Sequence, residues 1–337
     1  MKTLSLFLLS GLIFGSLAFE RRSNSNSSAP RLDAALPVAV ANEQVSASKN
    51  QEPAEQQPQD FDARCHAPGV LVCQGFDSPL ITITAKWPAP GLYPAWDGTV
   101  RGTFDRAQKA SGEGSLRFEI PSHSSANAAG YWRQPFGRNF GQGSTFYVQF
   151  RERFSPEMLT NNWGDTTWKQ VIFHNEGSTC GAVELTTTQY YHSGFPIMYT
   201  DCGGRSLVTN DGNPPYQQQQ GGYNCWYAKT NPKDCFLYPA NQWVTFYYQV
   251  SIGHWGKPDS AINAWVGADG KPLRQWISMP NFMLRNDHPG QDYDCLTLLT
   301  YMTNKNTSVD HPTAYAWYDE LLVSTRPISP PTPQTTP

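Results

Sequence analysis

At 337 residues, with 16% charged side chains and a formal net charge of −3, the chain has too few charges for a coiled coil or a charge-rich disordered protein; globular chains already average about 25%. The mildly acidic balance also excludes a general nucleic-acid binder, which needs a basic surface to displace phosphate counterions. An aromatic content of 13%, with 27 Gly and 27 Pro, points to short strands, tight turns and large core side chains. The length suits one large β domain or two ordinary ones.

Lys2 is followed by an apolar run from Leu4 to Phe19, shorter than the ~20 residues of a membrane-spanning helix. Ser16-Leu17-Ala18 then supplies the small-x-small pattern of a signal-peptidase site, so residues 1–19 read as a cleavable signal peptide. An uncleaved anchor held by Arg21-Arg22 is the alternative. Residues 20–60 are rich in Ser, Asn, Ala, Gln and Pro without hydrophobic period, and read as a disordered spacer. The Pro-rich end, 329–337, reads as a disordered tail. The mature protein is expected to be exported (secreted or periplasmic), monomeric and without stable membrane insertion.

Seven cysteines suit export. The most economical pairing is local: Cys65–Cys73, Cys180–Cys202 and Cys225–Cys235, with Cys295 left free in an apolar strand. Spacing alone does not fix the connectivity. A Cys-based zinc site is disfavoured because no C-x-x-C pair exists.

Between 61 and 328 helical periodicity is nearly absent, and short β-rich runs recur. They are Val70–Phe76, Gly98–Phe104, Ser115–Ile120, Thr145–Phe154, Trp168–Asn175 and Ala182–Thr188. Further runs follow at Trp243–Ile252, Ala261–Gly267, Leu296–Met302 and Ala314–Ser324. Such spacing, with Gly, Pro and Asn between runs, is that of an antiparallel sandwich or barrel. Asp269-Gly270 between two runs predicts a hairpin with a type I′ turn. The stretch Gly203–Asn241 lacks strand signals and reads as a long loop held by the Cys225–Cys235 clip.

Several segments together carry a family likeness. Cys73-Gln74-Gly75-Phe76-Asp77 opens the domain, and Trp168-Lys169-Gln170-Val171-Ile172-Phe173-His174 and Ala261-Ile262-Asn263-Ala264-Trp265-Val266 lie within it. Tyr301-Met302-Thr303-Asn304-Lys305 and Trp317-Tyr318-Asp319-Glu320-Leu321-Leu322-Val323-Ser324 close it. The series resembles the concanavalin A-like lectin/glucanase jelly roll, in particular its polysaccharide-lyase (alginate-lyase-like) branch. That resemblance implies an all-β antiparallel sandwich over about residues 70–328. It does not by itself imply an activity, because lectins, glycosidases and lyases share the fold.

A retaining glucanase of this fold would need two carboxylates about 5–5.5 Å apart. Glu184 is followed by no second acid, and Asp292 and Asp294 lack a third, so a glycoside hydrolase is the weaker alternative. A lyase must instead neutralise a uronate carboxylate, take the C5 proton and return one to the leaving oxygen. On a regular strand Gln170, Ile172 and His174 share a face, with Lys169 opposite. The alginate-lyase resemblance then implies an Arg strand, supplied by Phe150-Arg151-Glu152-Arg153, and a later strand carrying Tyr301 and Lys305. In this reading His174 is base or carboxylate neutraliser, Gln170 and Arg151 are neutralisers, and Tyr301 is acid or base. Arg153, Tyr190, His192, Lys305 and Trp226 would contact sugar. The competing readings are a hydrogen-bonded structural His174, a solvated sheet face for Arg151 and Arg153, and a core Tyr301.

Family members place a structural Ca²⁺ between the first and last strands, which here implies Asp77 and Asp319; ordinary hydrogen-bonding roles are the alternative. The functional expectation is a secreted protein acting by β-elimination on an acidic, uronate-containing polysaccharide. A non-catalytic, lectin-like protein is the main rival and a structural jelly roll a third.

Overall fold

The computed structural model describes residues 59–332 except 96, 162, 164–167, 176–183, 190–195, 201–234, 285, 287–289, 291 and 303–304; at 184–189, 196–197 and 199–200 it describes the backbone alone. All described residues belong to a unit spanning Asn50–Pro337. The expected signal peptide, most of the spacer, residues 333–337, and Tyr190, His192, Trp226, Cys180, Cys202 and Cys225 lie outside them.

The strand Thr145–Phe154 shows why two layers form. Phe146, Val148, Phe150 and Phe154 are sealed in the main apolar cluster, while Tyr147, Gln149, Arg151 and Arg153 alternate with them and face the other way. Strands in chain order are β1 (Val70–Gln74), β2 (Gly91–Tyr93), β3 (Gly102–Asp105), β4 (Ser115–Ile120) and β5 (Tyr131–Phe140). Next come β6 (Thr145–Phe154), β7 (Trp168–His174), β8 (Glu184–Gln189) and β9 (Pro196–Thr200). The last are β10 (Trp243–Ser251), β11 (Pro258–Ala268), β12 (Arg274–Met283), β13 (Tyr293–Leu299) and β14 (Ala314–Ser324). An eight-stranded sheet runs β12-β11-β10-β6-β14-β4-β3, with β1 also on β14, and a six-stranded sheet runs β2-β5-β13-β7-β8-β9. Aromatic rings join the layers: Phe173 of the smaller sheet packs edge-on against Phe146 and Tyr248 of the larger, at 5.7 and 5.2 Å. This is the antiparallel jelly-roll sandwich expected from the sequence.

Two expectations need correction. β5 carries no run named above, because Pro135 and Gly137 interrupt it; Pro removes a ladder donor and is confined to edges and bulges. The structure accommodates Pro135 opposite Cys295, where the β5–β13 register shifts, and gives Gly137 a φ of 76°. The Asp269-Gly270 hairpin forms between β11 and β12, but only Gly270 has positive φ, so the turn is not type I′, which needs two such residues.

The outer face of the larger sheet is capped. Helix α1 (Phe61–Cys65) starts at Asp60, whose carboxylate accepts from Ala63 N at 2.8 Å. Its Arg64 inserts against Glu320 and donates to Gln149 Oε1 at 2.5 Å, and a Cys65–Cys73 disulfide ties the helix to β1. Cys235 is also disulfide-bonded, to a partner outside the described residues, and Cys295 is free and buried, as expected. Gln59 N donates to Pro330 O at 3.0 Å and Thr332 N to Gln59 O at 2.9 Å, while Gln149 Nε2 donates to Ser329 O on the same face. Among the described residues no helix is long and apolar enough to cross a membrane.

Candidate functional site

Strand β7 decides how the expected residues are shared out. Its register to β8 runs Lys169↔Thr188 and then Val171↔Thr187, so Gln170 is the extra residue of a β-bulge. Trp168, Val171 and Phe173 all lie in the core. Regular alternation would have put Gln170 on the same face as His174; the bulge turns it inward instead, where its Nε2 donates to Glu152 of the opposite sheet. The expected common face of Gln170 and His174 is therefore broken by one inserted residue.

Arg151 also leaves the expected group. It lies on the outer face of the eight-stranded sheet, with Nη2 2.8 Å from Asp269 and Nη1 3.6 Å from Glu320. Arg153 points the same way and donates to Asn241 O. Odd-numbered positions of β6 face away from the interior, so neither can reach the smaller sheet. Lys305 is buried and donates to Ser124 O at 2.8 Å, and burial holds its pKa below the usual lysine range.

His174 and Tyr301 do share the outer face of the six-stranded sheet. His174 contacts Thr297 Oγ1 through Nε2 and Asn175 O through Nδ1, each at 2.8 Å, and is 2% exposed. With both ring nitrogens engaged, it fits an orienting role better than that of an open base. Tyr301 follows β13; its carbonyl accepts from Lys169 N at 2.8 Å, and Lys169 Nζ lies 5.7 Å from the Tyr301 ring centre. The same bulge that buries Gln170 leaves Lys169 on this outer face. Lys169 and His174 lie opposite Thr188 and Glu184, four β8 residues apart, a span of roughly 13 Å at ordinary strand rise.

The sequence reading missed the rest of this face. Arg133 of β5 pairs with Gly91 of β2 and Thr297 of β13. Its guanidinium lies 4.4 Å from the Trp87 ring centre and 6.0 Å from that of Tyr93. Tyr93 and Tyr131 stack at 5.6 Å, and Tyr93 OH donates to Ala89 O at 2.9 Å, anchoring the segment that carries Trp87. Burial raises the Tyr93 phenol above its usual value, partly opposed by the Arg133 charge. Arg133 Nε is buried without a hydrogen-bond partner, and no described carboxylate forms an ion pair with the guanidinium. An Arg of this kind, framed by rings, suits a planar anionic group and an apolar sugar face. The Tyr131-x-Arg133 alternation was the signal available in the sequence, obscured by Pro135 and Gly137.

Asp77 and Asp319 converge on one loop. Asp77 Oδ1 accepts from Glu113 N at 2.5 Å and Gly114 N at 3.2 Å; Asp319 Oδ2 accepts from Ala110 N at 2.6 Å and Ser111 N at 3.2 Å. Asp319 Oδ1 takes Glu320 N at 2.7 Å. These are N–H donors, opposite in polarity to the oxygen cage that calcium requires, and the two carboxylates fit clamps on loop 110–114 rather than a metal site. Burial, then the Glu320 charge, hold the Asp319 carboxyl well above its usual value.

No protein-family model and no curated protein sequence matches the chain. Among solved structures, the marine PL-14 alginate lyase from Aplysia kurodai superposes with TM-score 0.52 at 14% identity, covering 76% of this chain and 99% of that one. The endo-β-1,4-glucuronan lyase from the fungus Trichoderma reesei follows at TM-score 0.48 and 11% identity, covering 77% and 98%. The catalytic domain of a glycoside hydrolase family 131 protein from Coprinopsis cinerea gives 0.42 at 14%, covering 79% and 98%. At such identities the likeness is one of fold alone, an antiparallel jelly-roll β-sandwich.

Proposed function

We propose that the protein is an exported polysaccharide lyase acting on a uronate-containing glycan laid across the outer face of the six-stranded sheet. The observation that carries this reading is Arg133, a guanidinium without a carboxylate partner among the described residues, framed by Trp87, Tyr93 and Tyr131 on the face that also presents Lys169 and Tyr301. In this mechanism the Lys169 ammonium attracts the carboxylate of the reacting sugar, which makes its C5 proton removable. The Tyr301 hydroxyl group mediates transfer of that proton; the C4–O4 bond breaks, C4=C5 forms, and the leaving oxygen gains a proton. Arg133 holds a neighbouring uronate, with the rings supporting its sugar face. His174, pinned by Thr297 and Asn175, keeps the floor of the face rigid.

A second reading, an acidic-glycan-binding protein without turnover, draws support from the engagement of both His174 nitrogens. Purified protein incubated with alginate, glucuronan and pectate separates the two. Growth of unsaturated-product absorbance is the expected result. Saturable binding without such absorbance would favour the second reading, and absence of both would end the two together.

A further inference from the structure

We propose that Glu152, Gln170 and Tyr318 are positioning residues, which hold from inside the sandwich the β7 bulge that sets Lys169 beside Tyr301. The inference rests on reading Lys169 and Tyr301 as the glycan-facing pair.

Most of the interior among the described residues is apolar and aromatic, and these three side chains cross it. Gln170 and Glu152 meet from opposite sheets, both at 0% exposure. Tyr318 is the cross-strand partner of Glu152, and its hydroxyl lies 3.0 Å from the carbonyl oxygens of both Gln170 and Leu299. Those carbonyls belong to the two strands, β7 and β13, that lead to Lys169 and Tyr301. The bulge takes Gln170 out of the β7–β8 ladder, and the opposite sheet supplies the contacts there.

The arrangement is costly. Glu152 Oε1 and Gln170 Oε1 are buried without hydrogen-bond partners, and well-packed apolar residues in such places are commonly neutral or stabilising. A polar bridge kept at this expense, directly beneath Lys169, fixes a geometry that an apolar core would leave free to slip. A support that shifts a reacting group by about 1 Å can cost on the order of 100-fold in rate.

The test compares the double variant Glu152→Met/Gln170→Leu, Tyr318→Phe and the conservative Glu152→Gln, with the melting temperature, kcat and KM on the cleaved polyuronate measured for each. The double variant and Tyr318→Phe are expected to lose about 10–100-fold in kcat with KM nearly unchanged. The melting temperature of the double variant should hold or rise, and Glu152→Gln should restore most of the rate. Unchanged kcat per folded molecule, or equal loss in Glu152→Gln, would overturn the inference. Should the wild type bind an oligouronate without cleaving it, the lyase reading fails separately. Affinity then becomes the readout: a loss of about tenfold in Tyr318→Phe supports positioning and an unchanged affinity refutes it. A wild type that neither binds nor cleaves refutes both. Tyr318→Phe removes a single hydroxyl and keeps the test decisive if the double variant does not fold.

Discussion

The guanidinium of Arg133 lies 4.4 Å from the centre of the Trp87 ring and has no carboxylate partner among the described residues. An arginine paired with an acid would have its charge spent within the protein; in the proposed reading this one keeps it for a uronate. Contact with the indole also restrains the guanidinium, which lowers the entropy lost on binding.

Replacing Arg133 with Lys keeps the charge and removes the fork and the stack. Affinity for an oligouronate should fall by about 10–100-fold, the scale of a charge-assisted hydrogen bond, with little change in melting temperature. Titration calorimetry at low and high salt checks this, since the remaining point charge should leave binding more easily screened. Equal affinities would remove Arg133 from the glycan surface.

Glu152 makes stability depend on pH. Complete burial raises its pKa to about 8, with the hydrogen bond from Gln170 opposing the shift. The folded chain therefore keeps this proton between about 4.5 and about 8, where the unfolded chain has released it. Stability from this group is full below that window and falls as pH rises through it, by about 1.4 kcal/mol per pH unit. Asp319 acts in the same direction. Denaturant unfolding at the two ends of the window should show the loss, and Glu152→Gln should make it smaller. A variant with the wild-type slope would place the proton elsewhere.

Arg64 and Glu320 form an ion pair at 1% and 3% side-chain exposure. Arg64→Met leaves a buried carboxylate with only the 3.6 Å contact to Arg151, and should cost about 3–5 kcal/mol. Cys65→Ser should cost about 2–3 kcal/mol through the lost loop constraint. Because α1 carries both groups, the double variant should lose less than the two single losses added; strict additivity would show that helix docking and the disulfide are independent.

The N–H donors on Asp77 and Asp319 lead to an expectation about calcium. A chelator should move the melting temperature by no more than about 1–2 °C, since an ion bound only to the folded chain would stabilise it by mass action. A rise of several degrees on adding calcium would instead require loop 110–114 to turn carbonyl oxygens toward the two carboxylates.

The sandwich could be read from the sequence because most of its strands are regular. Ser115–Ile120, Thr145–Phe154 and Ala314–Ser324 have the same limits in both readings. The site could be read only in part. Period-2 arithmetic works on β6, yet the Arg151 face it defines belongs to the other sheet, and pairing order between sheets is not a local property. On β7 the same arithmetic fails at Gln170, because a bulge depends on a partner strand and on Glu152 across the core. Arg133 escaped notice because Pro135 and Gly137 disguise a long strand as a turn.

The two ends of the described chain meet at Gln59 and Pro331, on the back of the larger sheet. A tether joined directly at either of these two described ends pulls from the side away from Arg133, Lys169 and Tyr301. Held to a bead, a cell wall or a fused partner by either end, the molecule would turn the same sheet outward. In the proposed reading, a long polymer could then be gripped along its length without its carrier standing in the way.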